Sequence, residues 1–228
     1  MHTEMCFLEI NPQDIPKKIM GREPVEYHKI PAGILDDFTT ALNKAESARN
    51  EKPMQLFFEN YPVALLCLLR PHQAWVFPRQ TLNKPCGGGW QPDFLLCDWN
   101  SNGPEWTIVE LESPSKKAVN SKGLSADLRH AQQQISDYRT HMRDYCQELR
   151  GNGLPGTQHQ AQSVIVIDRR SKRPTQDKNR LLDLHHDDIQ VMSYDRLKEH
   201  LETMVNLRNA EHDSTKKIIA PFTSKHAH

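Results

Sequence analysis

What the chain lacks narrows its class before any motif is weighed. No apolar run is longer than residues 63–69, far short of the ~20 residues that a bilayer-spanning helix needs, so no membrane partner is expected. The first residues include Glu4 and Glu9 and no apolar h-region, so no secretory signal is expected and the expected location is cytoplasmic. Cysteines are few: Cys6, Cys67, Cys86, Cys97 and Cys146, an odd number with no C-x-x-C pair. That argues against a disulfide framework and a thiolate zinc site, and leaves reduced thiols, several on apolar segments. Net charge is also absent, 29 Lys+Arg against 29 Asp+Glu. This rules out an all-over polycation but not local basic patches, and patches are what meet nucleic acid. The twelve histidines are dispersed, with no H-E-x-x-H. The glycines at 87–89 lack a following Gly-Lys-Ser/Thr, so there is no P-loop, and no serine sits in G-x-S-x-G. No internal repeat is visible.

What remains is a chain of 228 residues, 37% hydrophobic and 25% charged, suited to one domain with an extension rather than to disorder. Prolines 12, 16, 24 and 31 make residues 1–33 irregular. Ile34, Leu35, Phe38, Leu42 and Ala45 recur on one face and predict a helix over 34–48; a second is predicted over 53–61, opened by Pro53. Strands are expected over 63–69, 74–77, 91–98 and 106–111, the last two forming a hairpin around Asn100-Ser101-Asn102-Gly103-Pro104. A long helix is expected over 124–149, its inner face running from Leu124 through Ile135 and Tyr138 to Leu149. A buried strand at 164–167, a basic loop, a short helix near 180–184, a strand at 189–192, a helix over 195–207 and a polar tail follow. The order predicts an α/β fold with a mixed central sheet flanked by helices.

The sharpest local feature is Asp93 on one strand of the hairpin, then Glu110-Leu111-Glu112 at the end of its partner. Residues two apart on a strand project to one side, and Asp93 lies beside them across the ladder. Three carboxylates in one place repel unless a cation sits among them. An oxygen-only donor set suits Mg²⁺ or Mn²⁺ rather than zinc. A cation so held polarises a phosphate oxygen and activates a bound water, so the chemistry indicated is phosphodiester hydrolysis. The competing reading is a set of solvated strand ends. Against it, Asp93 precedes Phe94-Leu95-Leu96 and Glu110 follows Ile108-Val109, and a carboxylate at the end of a core strand is costlier than one on a loop.

Two basic stretches lie nearby in sequence. Between 169 and 180 there are six basic residues, among them Arg169, Arg170, Lys172 and Arg173, against Asp177; Lys116 and Lys117 lead a second group beside the acidic motif. Both fit phosphate contacts, and both also fit solvated loops. Nothing resembles a base-reading helix, so sequence specificity is not expected.

Pro92-Asp93, Glu110-Leu111-Glu112-Ser113-Pro114 and Ala131-x-x-Gln134-Ile135-x-x-Tyr138 together resemble the PD-(D/E)xK (restriction-endonuclease-like) nuclease pattern. Within that superfamily the chain is similar to the nuclease domain of the Shedu anti-phage defence proteins. Stretches 57–62, 164–169 and 189–197 fit the same family, so the resemblance covers about residues 54–205. It implies a Mg²⁺-dependent DNA endonuclease acting on phage or plasmid DNA, assembled as a homo-oligomer. It implies Asp93 and Glu110 as metal ligands, with the main-chain carbonyl of Leu111 as a third, and Gln134 as the supporting helix glutamine with Tyr138 its partner. It divides the chain into an extension at 1–50, a nuclease domain at 51–208 and a tail at 209–228. One departure stands out: Glu112 occupies the place where the family usually has Lys, which orients the attacking water. Glu112 can instead bind metal or accept a proton from water, with Lys116 or Lys117 reaching back to supply the charge. The alternative is a catalytically impaired module that only binds DNA or a defence partner. Glu59, on the earlier helix, is either a further ligand or an exposed helix residue.

Overall fold

The computed structural model describes residues 17–69, 73–83, 88–100, 103–157, 161–172 and 189–223. Arg173, Cys6, Cys86 and the short helix expected at 180–184 lie outside them. In chain order the elements are β1 (Val25–Glu26), α1 (Ile34–Ala48), α2 (Lys52–Asn60), α3 (Leu66–Leu69), β2 (Gln73–Pro78), β3 (Leu82–Asn83), β4 (Gly89–Trp90), β5 (Phe94–Asn100), β6 (Gly103–Leu111), β7 (Val119–Asn120), β8 (Gly123–Leu124), α4 (Ala126–Asp144), α5 (Cys146–Gly151), β9 (Gln162–Val166), β10 (Ile189–Met192) and α6 (Tyr194–Thr223).

Six strands form the central sheet in the order β1-β2-β5-β6-β9-β10. The first four pair antiparallel, whereas β6–β9 and β9–β10 are parallel, so the sheet is mixed. Side chains alternate between its faces. Phe94, Leu96, Val109, Leu111, Val164 and Val166 enter one core, with α1, α2, α3 and α6. Leu95, Cys97, Ile108 and Ile165 enter the other, with α4 and α5. The central strands are thus buried on both faces, which is why they read as continuous apolar runs. Among the described residues no helix is long and apolar enough to cross a membrane.

The helix at 34–48 forms as expected, burying Ile34, Phe38, Leu42 and Ala45. Phe57 and Phe58 of α2 meet Phe38 edge-on at 5.3 and 6.3 Å, and Phe58 meets Phe94 at 6.1 Å, which locks α2 against the start of β5. Ser125 caps α4, its hydroxyl accepting from the Leu128 N–H at 3.0 Å. Three expectations are corrected. Residues 63–69 are not a strand: Pro62–Leu65 form a 3-10 turn that leads into α3. Val63 to Leu66 are buried with at most 4% exposure, and an apolar run covered on all sides carries no period to tell strand from helix. The helix expected over 124–149 is broken at Tyr145, which leaves helical geometry at φ −117°, ψ 25°. The stretch from 209 that reads as a tail stays helical to Thr223, there being no Gly or Pro between 195 and 220 to stop it.

Candidate active site

The β5–β6 hairpin brings the acidic residues together at one end of the sheet. Phe94 pairs with Val109, so Asp93 falls beside Glu110 just beyond the ladder. The Asp93 N–H points at Glu110 Oε1, 3.4 Å away, while Asp93 Oδ2 accepts from the Leu111 N–H at 2.8 Å. Glu110 is only 7% exposed. Its proton affinity is pushed up first by burial and then by the charge of Asp93, against a hydrogen bond from the Tyr138 hydroxyl. Asp93 is also pushed up, chiefly by burial and further by Glu51 and Glu112, although the Leu111 N–H and the charge of Arg79 oppose this. Both carboxylates are therefore held where their charge is unfavourable without a counter-ion.

Glu112 shares this end of the sheet, and its charge raises both Asp93 and Glu110. Its Oε2 lies 2.6 Å from Lys116 Nζ, which also reaches Asp127 Oδ1 at 3.2 Å. Its backbone is fixed at both ends: the N–H donates to the Val166 carbonyl, and the Glu112 carbonyl accepts from the buried Tyr194 hydroxyl, both at 2.8 Å. Lys116 thus does reach back from its loop, and the two acids outweigh burial to keep it protonated. Lys117 is exposed.

Tyr138 projects from α4 and is 3% exposed; Gln134 lies one turn earlier, half-buried. Leu111 contributes its main chain, its side chain being core. Of the basic positions, Arg169 is held by Asp195 at 2.7 Å and Glu46 at 3.2 Å, Arg170 pairs with Glu199, and Lys172 lies 2.7 Å from Glu46. Glu59 is not a free helix residue: it accepts from Gln55 at 3.0 Å and pairs with Arg79 at 3.2 Å.

Sequence reasoning missed Gln55. It is 2% exposed on α2, with Nε2 at 3.5 Å from the Asp93 carbonyl and its Oε1 lacking a hydrogen-bond partner. A buried amide oxygen without a partner is costly. The only sequence signal was a polar residue on the apolar face of α2, between Met54 and Phe58.

The donors here are all oxygens, which fits a hard divalent cation. Among the described residues no three His, Cys, Asp or Glu side chains converge to hold a metal between them. Asp93 and Glu110 form a buried pair, and Glu112, whose carboxylate is paired with Lys116, acts on both by its charge. A pair suffices for Mg²⁺, which keeps several waters and takes one or two carboxylates.

Fold and site together define an α/β protein whose mixed sheet carries a buried carboxylate pair where two antiparallel strands end. The chain belongs to the family described as Shedu protein SduA, C-terminal, whose model matches residues 48–197, a span running from the end of α1 into α6. Membership in this family points to anti-phage defence. No curated protein matches the chain.

Proposed function

We propose that the chain is a Mg²⁺- or Mn²⁺-dependent endodeoxyribonuclease of restriction-endonuclease-like, PD-(D/E)xK type, cutting phage or plasmid DNA in the cytoplasm as a homo-oligomer. The observation that carries this reading is the buried pair Asp93–Glu110. Two adjacent carboxylates raised by burial and by neighbouring acids are stabilised in the charged state by a cation between them. Asp93 and Glu110 would hold the ion, with the Leu111 carbonyl as a further oxygen. The bound ion would supply Lewis-acid polarisation of a phosphate and a more acidic water.

The chain's own residues do the rest. The Leu111 N–H and the Tyr138 hydroxyl fix the orientations of Asp93 and Glu110. Gln55 braces the Asp93 main chain from α2, and Gln134 supports the site from the helix that carries Tyr138. Glu112 accepts a proton from water, and Lys116 beside it supplies the cation that Glu112 itself cannot. Lys116, Lys117, Arg169, Arg170, Lys172 and Arg173 contact phosphates. The second reading, a module that binds DNA or a defence partner without cutting it, is favoured by one observation: the carboxylate of Glu112 is engaged by Lys116.

Cleavage of plasmid and linear DNA with Mg²⁺ or Mn²⁺ tests both. Cutting by the wild type that disappears in Glu110→Ala supports the nuclease. Cutting that survives both Asp93→Ala and Glu110→Ala refutes it. An inert wild type with an active Glu112→Lys variant identifies a disarmed relative.

A further inference from the structure

A second feature lies beyond the carboxylate pair, on the far side of Lys116. A cleft of about 430 Å³ opens between the end of α1, the loop after β6 and the residues after β9, and it does not include Asp93 or Glu110. Five cations line it: Arg49, Lys116, Lys117, Arg169 and Lys172, against two acids, Glu46 and Asp168. The acids differ in kind. Asp168 is 3% exposed and serves the backbone, its Oδ2 accepting from the Ala118 N–H at 3.2 Å. Glu46 puts its carboxylate among the cations, with Oε1 at 2.7 Å from Lys172 Nζ and Oε2 at 3.2 Å from Arg169 Nη1.

That arrangement is how a phosphate is held: an oriented guanidinium and an ammonium on adjacent oxygens. Arg169 is preorganised for it, because Asp195 fixes its Nε at 2.7 Å and leaves the outer edge of the fork to the cleft. Glu46 lies in the last turn of α1, where the helix dipole disfavours a negative charge, so local helix energetics do not explain its place. Arg49 and Lys117 complete the wall with exposed side chains that form no ion pair among the described residues.

We propose that this cleft is a phosphate-group site, and that Glu46 is the resident carboxylate which an incoming phosphate displaces. The phosphate comes from a nucleic-acid backbone or from a free nucleotide; the chemistry recognised is the same. The inference rests on the nuclease reading only in taking DNA as one source. Its test is binding, not cleavage.

The experiment measures binding of a fluorescent DNA duplex, and separately of ATP, to the full chain in EDTA across a salt series. The variants are Glu46→Gln and the charge reversal Arg49→Glu with Lys117→Glu, each checked by thermal melt. Glu46→Gln should tighten duplex binding by about three- to tenfold, since it removes one close like charge. The charge reversal should weaken it by about tenfold or more and flatten the salt dependence by about one to two in slope. A duplex affected in this way while ATP stays unbound makes nucleic acid the source. ATP that binds and displaces the duplex makes a free nucleotide a source as well. Duplex binding by the charge reversal equal to wild type overturns the site, and Glu46→Gln binding no tighter than wild type overturns the displacement. A wild type that binds neither probe overturns both. Each of these failures leaves Asp93- and Glu110-dependent cleavage to stand or fall separately.

Discussion

Replacing Glu110 by Gln probes the carboxylate pair without any assay of activity. In the wild type, burial and the charge of neighbouring acids raise the proton affinity of both Asp93 and Glu110 in the folded state. Unfolded carboxylates titrate near about 3.9–4.3. Above that range the unfolded chain has released these protons while the folded chain still holds them. The folded state then binds more protons, so the unfolding free energy falls as pH rises, from the ordinary carboxylate range up to the raised folded values. The limiting slope is about 1.4 kcal/mol per pH unit for each retained proton. Across about two units, between roughly pH 5 and 7, the proton on Glu110 then accounts for a loss of about 3 kcal/mol, or about 6–12 °C in Tm for a chain of this size. Gln preserves the size of the side chain, and its amide oxygen still accepts from Tyr138. Urea melts in EDTA should therefore show Glu110→Gln more stable than wild type at about pH 7, with a flatter pH slope. The difference between the two proteins cancels the histidines and other shared titrations. Adding Mg²⁺ should stabilise the wild type increasingly toward higher pH and should stabilise the variant less. Parallel slopes, or a wild type more stable than Glu110→Gln in EDTA at neutral pH, would refute the buried-pair argument.

Three further outcomes follow from particular contacts. Tyr194→Phe leaves the Glu112 carbonyl without its buried donor and should cost about 1–3 kcal/mol in urea melts, with cleavage falling as Glu112 loosens. Lys116→Ala should change stability by only about 0–1 kcal/mol, its side chain being 37% exposed; cleavage by that variant equal to wild type would remove Lys116 from the site. Phe58→Ala opens the aromatic cluster between α2 and β5, where Phe58 is fully buried, and should destabilise by about 3–5 kcal/mol in equilibrium unfolding.

Much was legible in the sequence wherever one local rule decided the outcome. The helix at 34–48 and the strand at 189–192 follow from periodicity and short apolar runs, and both form at those bounds. The hairpin joining Asp93 to Glu110 follows from two apolar runs around a turn-forming loop, because strand register then fixes which residues face each other. Order along the chain thus determined that two carboxylates meet at a strand end, and what kind of sheet carries them.

Tertiary structure decided what those carboxylates experience. Gln55 lies 38 residues from Asp93 in sequence and Lys172 lies 126 from Glu46; no local pattern encodes either contact. That Lys116 bridges Glu112 and Asp127 depends on where the following loop and the start of α4 are packed. The helical state of the apolar run that starts at Val63 was decided the same way, since the burial of Val63 to Cys67 erases the periodicity that would have declared it. Proton affinity, ion pairing and the shape of the cleft all depend on distance through space and on exclusion of water, and packing alone sets both.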